Sequence, residues 1–402
     1  VKIGLINTLY SPYRVGGAEK SVQLLAEGLV SAGNEVFVVT CAERRSQESL
    51  NGVRVYREPL ANVYWPFKAG KQSLLKPVWH FVDALNPLMG ARVRQIVERE
   101  RPDVVNTNNL SGFSASVWEE LMALGVPVVH TVRDYYLLCS RSTMYRQKQN
   151  ANCDDICANC RALSWPRRTR AKSIEHVIGI SGAVLAEHTK RGIFRNAHTC
   201  VIPNIAGAVA EPSSVVRTPP FVRFGYLGRI EASKGIAELL QSFQMALSTR
   251  RDIRLVLGGA GDDAYIATLT ASVRTHSVRF LGLVDPAAFF ADIDFLVVPS
   301  RWKEPLGRVV LEAHQYGVPV LGARRGGISE YIADGVTGFG FDVTEPSALA
   351  DLMLRCAEFS SEQYTRLRSA LLAERHRFAT EAVVQSHLAA FRKALEDRRC
   401  RT

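Results

Sequence analysis

Two glutamates, Glu304 and Glu312, stand eight residues apart in the stretch EPLGRVVLEAHQYGVPVLGARRGG. Pro305 and Gly307 follow the first, so a helix is expected to start at about Gly307. Glu304 then sits in the loop at the positive end of that helix, and Glu312 lies more than a turn inside it. The N–H groups of Arg308 and Val309, unpaired in a first helical turn, are available to an anion. Glu304 can accept hydrogen bonds from sugar hydroxyls and Glu312 from a ribose diol, although glutamates at this spacing are common by chance and the flanking motifs must carry the reading. A second stretch, FGYLGRIEASKGIAELLQSF, reads as a strand ending at Gly228-Arg229 and a helix beginning near Lys234-Gly235. Gly228 lets the backbone turn and approach a ligand closely, and Arg229 and Lys234 can converge on a diphosphate. Taken alone, the second stretch also reads as a turn with two solvated cations.

Two further sets of residues lie in the first half. Four of the eight cysteines crowd into CSRSTMYRQKQNANCDDICANC as Cys139, Cys153, Cys157 and Cys160. In a large chain of intracellular type this spacing suits a closed structural zinc site of four thiolates; an iron–sulfur cluster or four unmetallated thiols are the alternatives. The segment NVYWPFKAGKQSLLKPVWHFVDALNPLMG interleaves Trp65, Phe67, Trp79 and Phe81 with Lys68, Lys71 and Lys76. Aromatics beside lysines suit an anionic membrane interface or a lipid-linked acceptor; the alternative is a helix that packs its aromatics inward. The run PRRTRAK, Pro166 to Lys172, reads as a solvated surface.

The elements that must position these groups alternate in type. VKIGLIN, EVFVVTC, VRVYRE, DVVNTNN, VPVVHTV, HVIGIS and CVIPN are candidate strands, with helical spacing between several of them. A proline-bearing connector, Gly207 to Pro220, interrupts the pattern, which resumes with VRFGYLG, IRLVLGG, VRFLGL, DFLVVPS, VPVLGA and GFGFD. Strands alternating with helices predict parallel sheets wrapped on both sides. The expected organisation is a domain over 1–206, a linker over 207–220, a second domain over 221–378, and a C-terminal helix over 379–402 packing back on the first. Ligands of such sheets bind at the carboxyl ends of the strands.

With 402 residues, 47% hydrophobic and 22% charged, the composition is that of a globular enzyme of two domains. No apolar run approaches the roughly 18 residues needed to cross a bilayer, and the opening VKIGLIN reads as a first buried strand rather than a signal peptide. A cytoplasmic protein is expected, with peripheral contact at the inner face of the membrane left open. The net charge of +11 falls mostly in the first half and favours an anionic partner. A nucleic-acid-binding protein with a zinc module is the reading that charge and cysteines alone would allow, but no helix-turn-helix or cysteine–histidine finger pattern is present.

The motifs, in their order along the chain, resemble those of the retaining glycosyltransferases of family 4, in a subfamily with a cysteine-rich insert. The residues that carry the resemblance are Gly16-Gly17-Ala18-Glu19, Val201-Ile202-Pro203-Asn204, Gly228-Arg229 with Lys234-Gly235, Pro299-Ser300, Glu304-Pro305-Leu306-Gly307 with Glu312-Ala313, Gly317-Val318-Pro319-Val320, and Gly326-Gly327. The resemblance implies an α/β fold of GT-B type, two doubly wound Rossmann-like domains facing each other across a cleft. It implies transfer of a sugar from a UDP-, GDP- or ADP-type donor to a glycan or lipid-linked acceptor, with retention at the anomeric carbon, in cell-surface polysaccharide assembly. Arg229 and Lys234 would neutralise the leaving diphosphate, helped by the Gly16-Gly17 loop. Glu304 would bind the donor sugar and Glu312 the ribose, with Gly228, Gly307, Arg308, Val309, Gly326 and Gly327 completing the donor site. No catalytic metal is expected. One departure stands out in VPVVHTVRDYYLLC: the family often has a histidine directly before the aspartate, where this chain has Arg133, with His130 three residues earlier. Arg133 is accordingly a candidate for contact with a donor phosphate or an acidic acceptor, or else pairs with Asp134. A sugar-nucleotide epimerase on the same scaffold and an inactive scaffold are the competing readings.

Overall fold

The computed structural model describes residues 1–13, 16–67, 74–207, 221–273 and 275–400. The chain divides into two compact units, one of Val1–Met144, Cys153–Ile205 and Thr380–Thr402, the other of Tyr145–Asn152 and Ala206–Ala379. Most of the expected connector, residues 208–220, lies outside the described residues, as do Lys68 and Lys71.

Every candidate strand of the sequence reading forms. Along the chain run β1 (Lys2–Ile6), β2 (Glu35–Ala42), β3 (Ser46–Leu50), β4 (Val53–Pro59), β5 (Val104–Thr107), β6 (Val128–Val132), the hairpin strands β7 (Tyr145–Arg146) and β8 (Ala151–Asn152), β9 (His176–Gly179) and β10 (His198–Val201). The sheet of the first unit has the order β10-β9-β6-β5-β1-β2-β4-β3. It is parallel except for β3, which runs antiparallel to β4. The central strands are buried runs of Val, Ile and Phe, as strands covered on both faces require. The edge strand β3, SQESL, is polar and largely exposed, which protects the sheet from pairing with another chain.

The second unit continues with β11 (Val222–Leu227), β12 (Ile253–Gly258), β13 (Val278–Gly282), β14 (Phe295–Val298), β15 (Val320–Ala323) and β16 (Gly338–Phe341). All are parallel, in the order β13-β12-β11-β14-β15-β16. The chain builds outward from β11 in one direction, then returns to start β14 on its other side. Open sheets of this kind bind their ligands at such a reversal. The first sheet has the same reversal between β1 and β5. Helix Ile236–Thr249 shows how each sheet is covered: Ile236, Leu239, Leu240, Phe243, Ala246 and Leu247 repeat at helical spacing and are all buried. Each of the larger side chains, Ile236, Leu239, Leu240, Phe243 and Leu247, contributes about 1.5–3 kcal/mol of burial free energy.

Two details fix the helices of the first unit. Gly28 lets helix Gly17–Ser31 meet the tail helix Thr380–Arg399, since a Cβ there would lie 2.7 Å from both Thr380 and Val384. Helix Ala158–Arg170 is joined to helix Lys76–Ala84 by an ion pair between Arg167 and Asp83, 2.6 Å apart and fully buried. Arg167 also donates to the Tyr136 carbonyl and lies over the Tyr136 ring, while Asp83 accepts from the Gly112 N–H. The run PRRTRAK is therefore not a solvated surface throughout: its second residue is an interior cation, because a carboxylate far away in sequence meets it there. Burial pushes the Asp83 carboxyl up, and Arg167 opposes that shift. Replacing Arg167 by leucine strands a buried charge and is expected to cost about 3–5 kcal/mol. The double change Asp83→Leu, Arg167→Leu is expected to recover much of that loss. Denaturation midpoints of the three chains check this, and equal midpoints for the single and double variants would count against it.

Candidate functional site

In the second unit the sequence-predicted residues gather at the reversal between β11 and β14. After β11, Gly228 adopts φ +155° and the chain turns through Arg229 into the short helical turn Ala232–Lys234. Gly235 follows at φ +74°, and a Cβ on it would stand 1.9 Å from the Pro299 carbonyl oxygen. Only glycine permits this approach of the loop that follows β14. That loop is then fastened: the Ser233 carbonyl accepts from the N–H groups of Arg301 and Trp302, both at 3.0 Å.

The fastening brings Lys234 to Glu304, Nζ to Oε1 2.9 Å, with both side chains mostly buried. The Lys234 ammonium also lies 5.1 Å from the centre of the Trp302 ring. Arg229 is largely exposed and reaches Glu231 at 3.4 Å. On the other side of Glu304, its carbonyl accepts from the Gly327 N–H at 2.8 Å. Gly326 and Gly327 pack against the Glu304-Pro305 backbone so closely that a Cβ on either would lie 2.4 Å from a carbonyl oxygen. Helix Arg308–Tyr316 starts one residue after Gly307, which is left-handed at φ +81°, and no side chain caps it. Its positive end is thus open to an anion. Glu312 pairs with Arg308 one turn back, at 3.0 Å. Lys234, Glu304, Gly307 and the Gly326-Gly327 turn thus come together beyond the ends of β11 and β14, with Arg308, Val309 and Glu312 on the first turns of the following helix and Arg229 exposed beside Glu231.

In the first unit, Gly16 caps helix Gly17–Ser31, and its N–H donates to the Glu19 carboxylate at 3.0 Å. Arg133 follows the end of β6 and is buried. Its Nε donates to the Asn108 side-chain oxygen at 2.7 Å and its Nη1 to that of Asn204. It is therefore held by two amides, and not by the neighbouring Asp134, whose carboxylate accepts from the Tyr136 N–H at 2.8 Å. Burial lowers the Arg133 guanidinium to about 10, so it stays charged at neutral pH. His130 does not stand in for the absent histidine. It is a core residue on β6, bonded to Thr107 and set edge-on to Trp118, and burial lowers it to about 3.

Among the described residues, no three or more His, Cys, Asp or Glu side chains are grouped so as to hold a metal ion. Of the four clustered cysteines, Cys139 and Cys160 have sulfurs 3.8 Å apart, with Cys157 also hydrogen-bonded to Cys160. The Cys160 hydrogen bond and backbone N–H groups lower Cys139 to about 6. Cys153 is fixed through its backbone N–H to the Met144 carbonyl.

Comparison with known proteins decides the family. The model of the glycosyl transferase 4-like domain matches residues 16–205, and that of glycosyl transferases group 1 matches residues 222–358. An uncharacterized 42.6 kDa protein in the cps region of Klebsiella pneumoniae is 33% identical over 337 residues, covering 82% of this chain and 87% of its own. The chain belongs to these glycosyltransferases. A capsular polysaccharide biosynthesis glycosyltransferase of Staphylococcus aureus is 29% identical over 133 residues, 32% of this chain and 34% of that protein. The fold is that of GT-B glycosyltransferases: Anabaena HepE, solved in complex with UDP and glucose, superposes with a TM-score of 0.67 at 19% identity, covering 96% of this chain and 98% of its own.

One residue of this candidate site was not legible in the sequence. Asn152, at the end of the hairpin β7–β8, accepts from the Lys303 N–H at 2.8 Å and donates to the Arg301 carbonyl at 2.7 Å. A single side-chain amide thereby grips the backbone directly before Glu304. No motif marks such an asparagine; only the packing of the hairpin in the second unit reveals it. Asn152→Ala is expected to loosen the Glu304 loop and lower kcat about tenfold or more, with the unfolding free energy within about 1 kcal/mol of the parent. Steady-state kinetics beside a denaturation curve check this, and an unchanged kcat would show that the grip is dispensable.

Proposed function

We propose that this glycosyltransferase moves a hexosyl group from a nucleotide diphosphate sugar to a glycan or lipid-linked acceptor, with retention, in the assembly of a cell-surface polysaccharide. The Lys234–Glu304 pair carries this reading. Without a donor, the cation and the carboxylate satisfy each other in a sheltered crevice. A bound donor supplies each with a better partner: the diphosphate meets Lys234 and Arg229, and the sugar hydroxyls meet Glu304. The uncapped start of helix Arg308–Tyr316 adds backbone N–H groups toward the same anion. As the bond between the anomeric carbon and the diphosphate breaks, these fixed positive groups stabilise the charge that gathers on the leaving oxygen. The acceptor hydroxyl oxygen forms the new bond at that carbon, its proton passes to the departing diphosphate oxygen, and the nucleoside diphosphate leaves. Glu312, whose carboxylate is shared with Arg308, is assigned the ribose diol, and Gly228, Gly307 and Gly326-Gly327 allow the donor to lie against backbone. In the first unit, the charged and buried Arg133 and the Gly16-Gly17 turn are assigned to anionic parts of donor or acceptor. The capsular relative supports the polysaccharide context. We place the reaction in the cytoplasm, with the fixed cations doing the work of a catalytic metal.

Thermal unfolding with UDP-, GDP- and ADP-sugars tests the donor site. Ligand at 100 times its dissociation constant adds about 2.7 kcal/mol, a shift of roughly 2–4 °C, with one nucleotide class and not with duplex DNA. Glu312→Ala is expected to abolish the shift. Lys234→Met and Glu304→Gln are expected to lower turnover about 10²–10³-fold, and a chelator to leave it unchanged. A donor shift without transfer to any acceptor would favour an inactive scaffold. Inversion at carbon 2 of the donor sugar, with no transfer, would favour an epimerase.

A further inference from the structure

Three sulfurs of the cysteine-bearing segment form a series that leads from solvent to the interior. Cys157 is exposed, Cys160 is half-buried and Cys139 is buried. The Cys160 thiol donates to the Cys139 sulfur at 3.8 Å, and Cys157 is hydrogen-bonded to Cys160. Both ends of the series are fixed. Cys157 directly precedes helix Ala158–Arg170 and Cys160 lies in its first turn, a spacing that makes the two side chains neighbours. Cys139 opens a turn in which its carbonyl accepts from the Ser142 N–H at 3.0 Å, and the N–H groups of Arg141, Thr143 and Met144 are directed at its sulfur. Donors of this kind favour a thiolate, the nucleophile of thiol chemistry. The sulfurs are related in pairs: among the described residues no three His, Cys, Asp or Glu side chains are arranged to hold a metal ion. Closing the gap between Cys139 and Cys160 to the bond length of about 2 Å asks for side-chain rotation and a small backbone shift.

What such a pair controls follows from its place along the chain. The chain leaves the first unit after Met144, forms the hairpin Tyr145–Asn152 and re-enters the first unit at Cys153. The base of the hairpin is tied by the Cys153 N–H on the Met144 carbonyl at 2.8 Å, and Cys139 and Cys160 flank that base in sequence. A bond between them closes a ring that contains the whole hairpin, with Asn152, whose amide holds the backbone before Glu304. We propose that Cys139 and Cys160 are a redox-responsive pair, oxidised through Cys157 by a low-molecular-weight disulfide, and that their disulfide clamps the hairpin that holds the Glu304 loop. The Cys157 thiolate attacks the external disulfide, forming a mixed disulfide and releasing one thiolate. The Cys160 thiolate attacks the Cys157 sulfur and releases the second. The Cys139 thiolate then attacks the Cys160 sulfur and returns Cys157 as a thiolate. Cys139 and Cys160 are thereby oxidised, and the external disulfide is reduced to a pair of thiols that take up their protons.

The clamp stands apart from the proposed reaction, and its test needs no sugar nucleotide. The full chain is equilibrated with mixtures of reduced and oxidised glutathione, trapped by alkylation and mapped by fragmentation mass spectrometry. A disulfide between Cys139 and Cys160 is expected as the oxidised glutathione fraction rises. Cys157→Ser is expected to slow its formation about tenfold or more while the same disulfide is finally reached. Cys160→Ser is expected to leave Cys139 reduced. Hydrogen exchange at the Cys153 and Lys303 N–H groups is expected to slow about tenfold or more in the oxidised parent, and not in Cys160→Ser treated in the same way. A Cys139 that stays reduced, oxidation confined to Cys157 and Cys160, or exchange at those N–H groups indifferent to the disulfide would each overturn the proposal. Stoichiometric zinc that the untreated chain retains, and releases only when its cysteines are alkylated, would also overturn it and assign the thiolates to a closed metal site.

Discussion

The candidate site depends on how closely two loops approach. After β11 the chain passes the Pro299 carbonyl at a distance that leaves no room for a Cβ on Gly235. The Ser233 carbonyl then takes two N–H groups from the facing loop. With both loops fixed at backbone level, Lys234 and Glu304 have little choice of partner, and their charges meet at 2.9 Å. A sheltered ion pair of this kind is a poor source of net stability, because desolvation offsets most of the attraction. In the proposed function its use lies in exchange: a ligand carrying both an anion and hydroxyls would replace each half of the pair without leaving a buried charge unmet.

The glycines around the pair share that logic. Gly326 and Gly327 press on the backbone of Glu304 and Pro305, and Gly307 starts the next helix from a left-handed conformation. Each removes a side chain where one backbone must lie against another. The same crevice is gripped from a further direction by Asn152, whose amide bonds both Arg301 and Lys303. The cysteine-flanked segment, which in sequence looks like a self-contained metal module, thus sends its hairpin to the loop that carries Glu304.

Buried charge plays a different part in the first unit. Arg133 is held by Asn108 and Asn204, two neutral partners that come from the ends of other strands or beyond. Arg167 is held by a carboxylate and by the face of Tyr136. The first arrangement leaves a cation whose charge its hydrogen-bond partners do not cancel. The second is closed on itself and joins two helices. Both look alike as arginines in a basic sequence, and only their partners distinguish an uncancelled buried charge from a closed ion pair.

What the sequence determined by itself is everything local or periodic. Runs such as EVFVVTC and DFLVVPS declare buried strands through unbroken β-branched residues, and Pro305 with Gly307 declares the start of a helix. The family motifs are short contiguous words, so Lys234 and Glu304 could both be expected near one donor, but their direct pairing could not. The polar edge strand β3 and the short hairpin β7–β8 gave no such signal, since neither has an apolar period to detect. Partners distant along the chain were equally hidden: Asp83 with Arg167, Asn108 and Asn204 with Arg133, and Asn152 with the backbone before Glu304. The exposed stripe of Leu74, Val78, Phe81, Leu85 and Leu88 was hidden for a related reason. An apolar period shows that a helix has a hydrophobic face, but only packing decides whether that face turns inward or out, because Trp79 and its neighbours compete for the same interior.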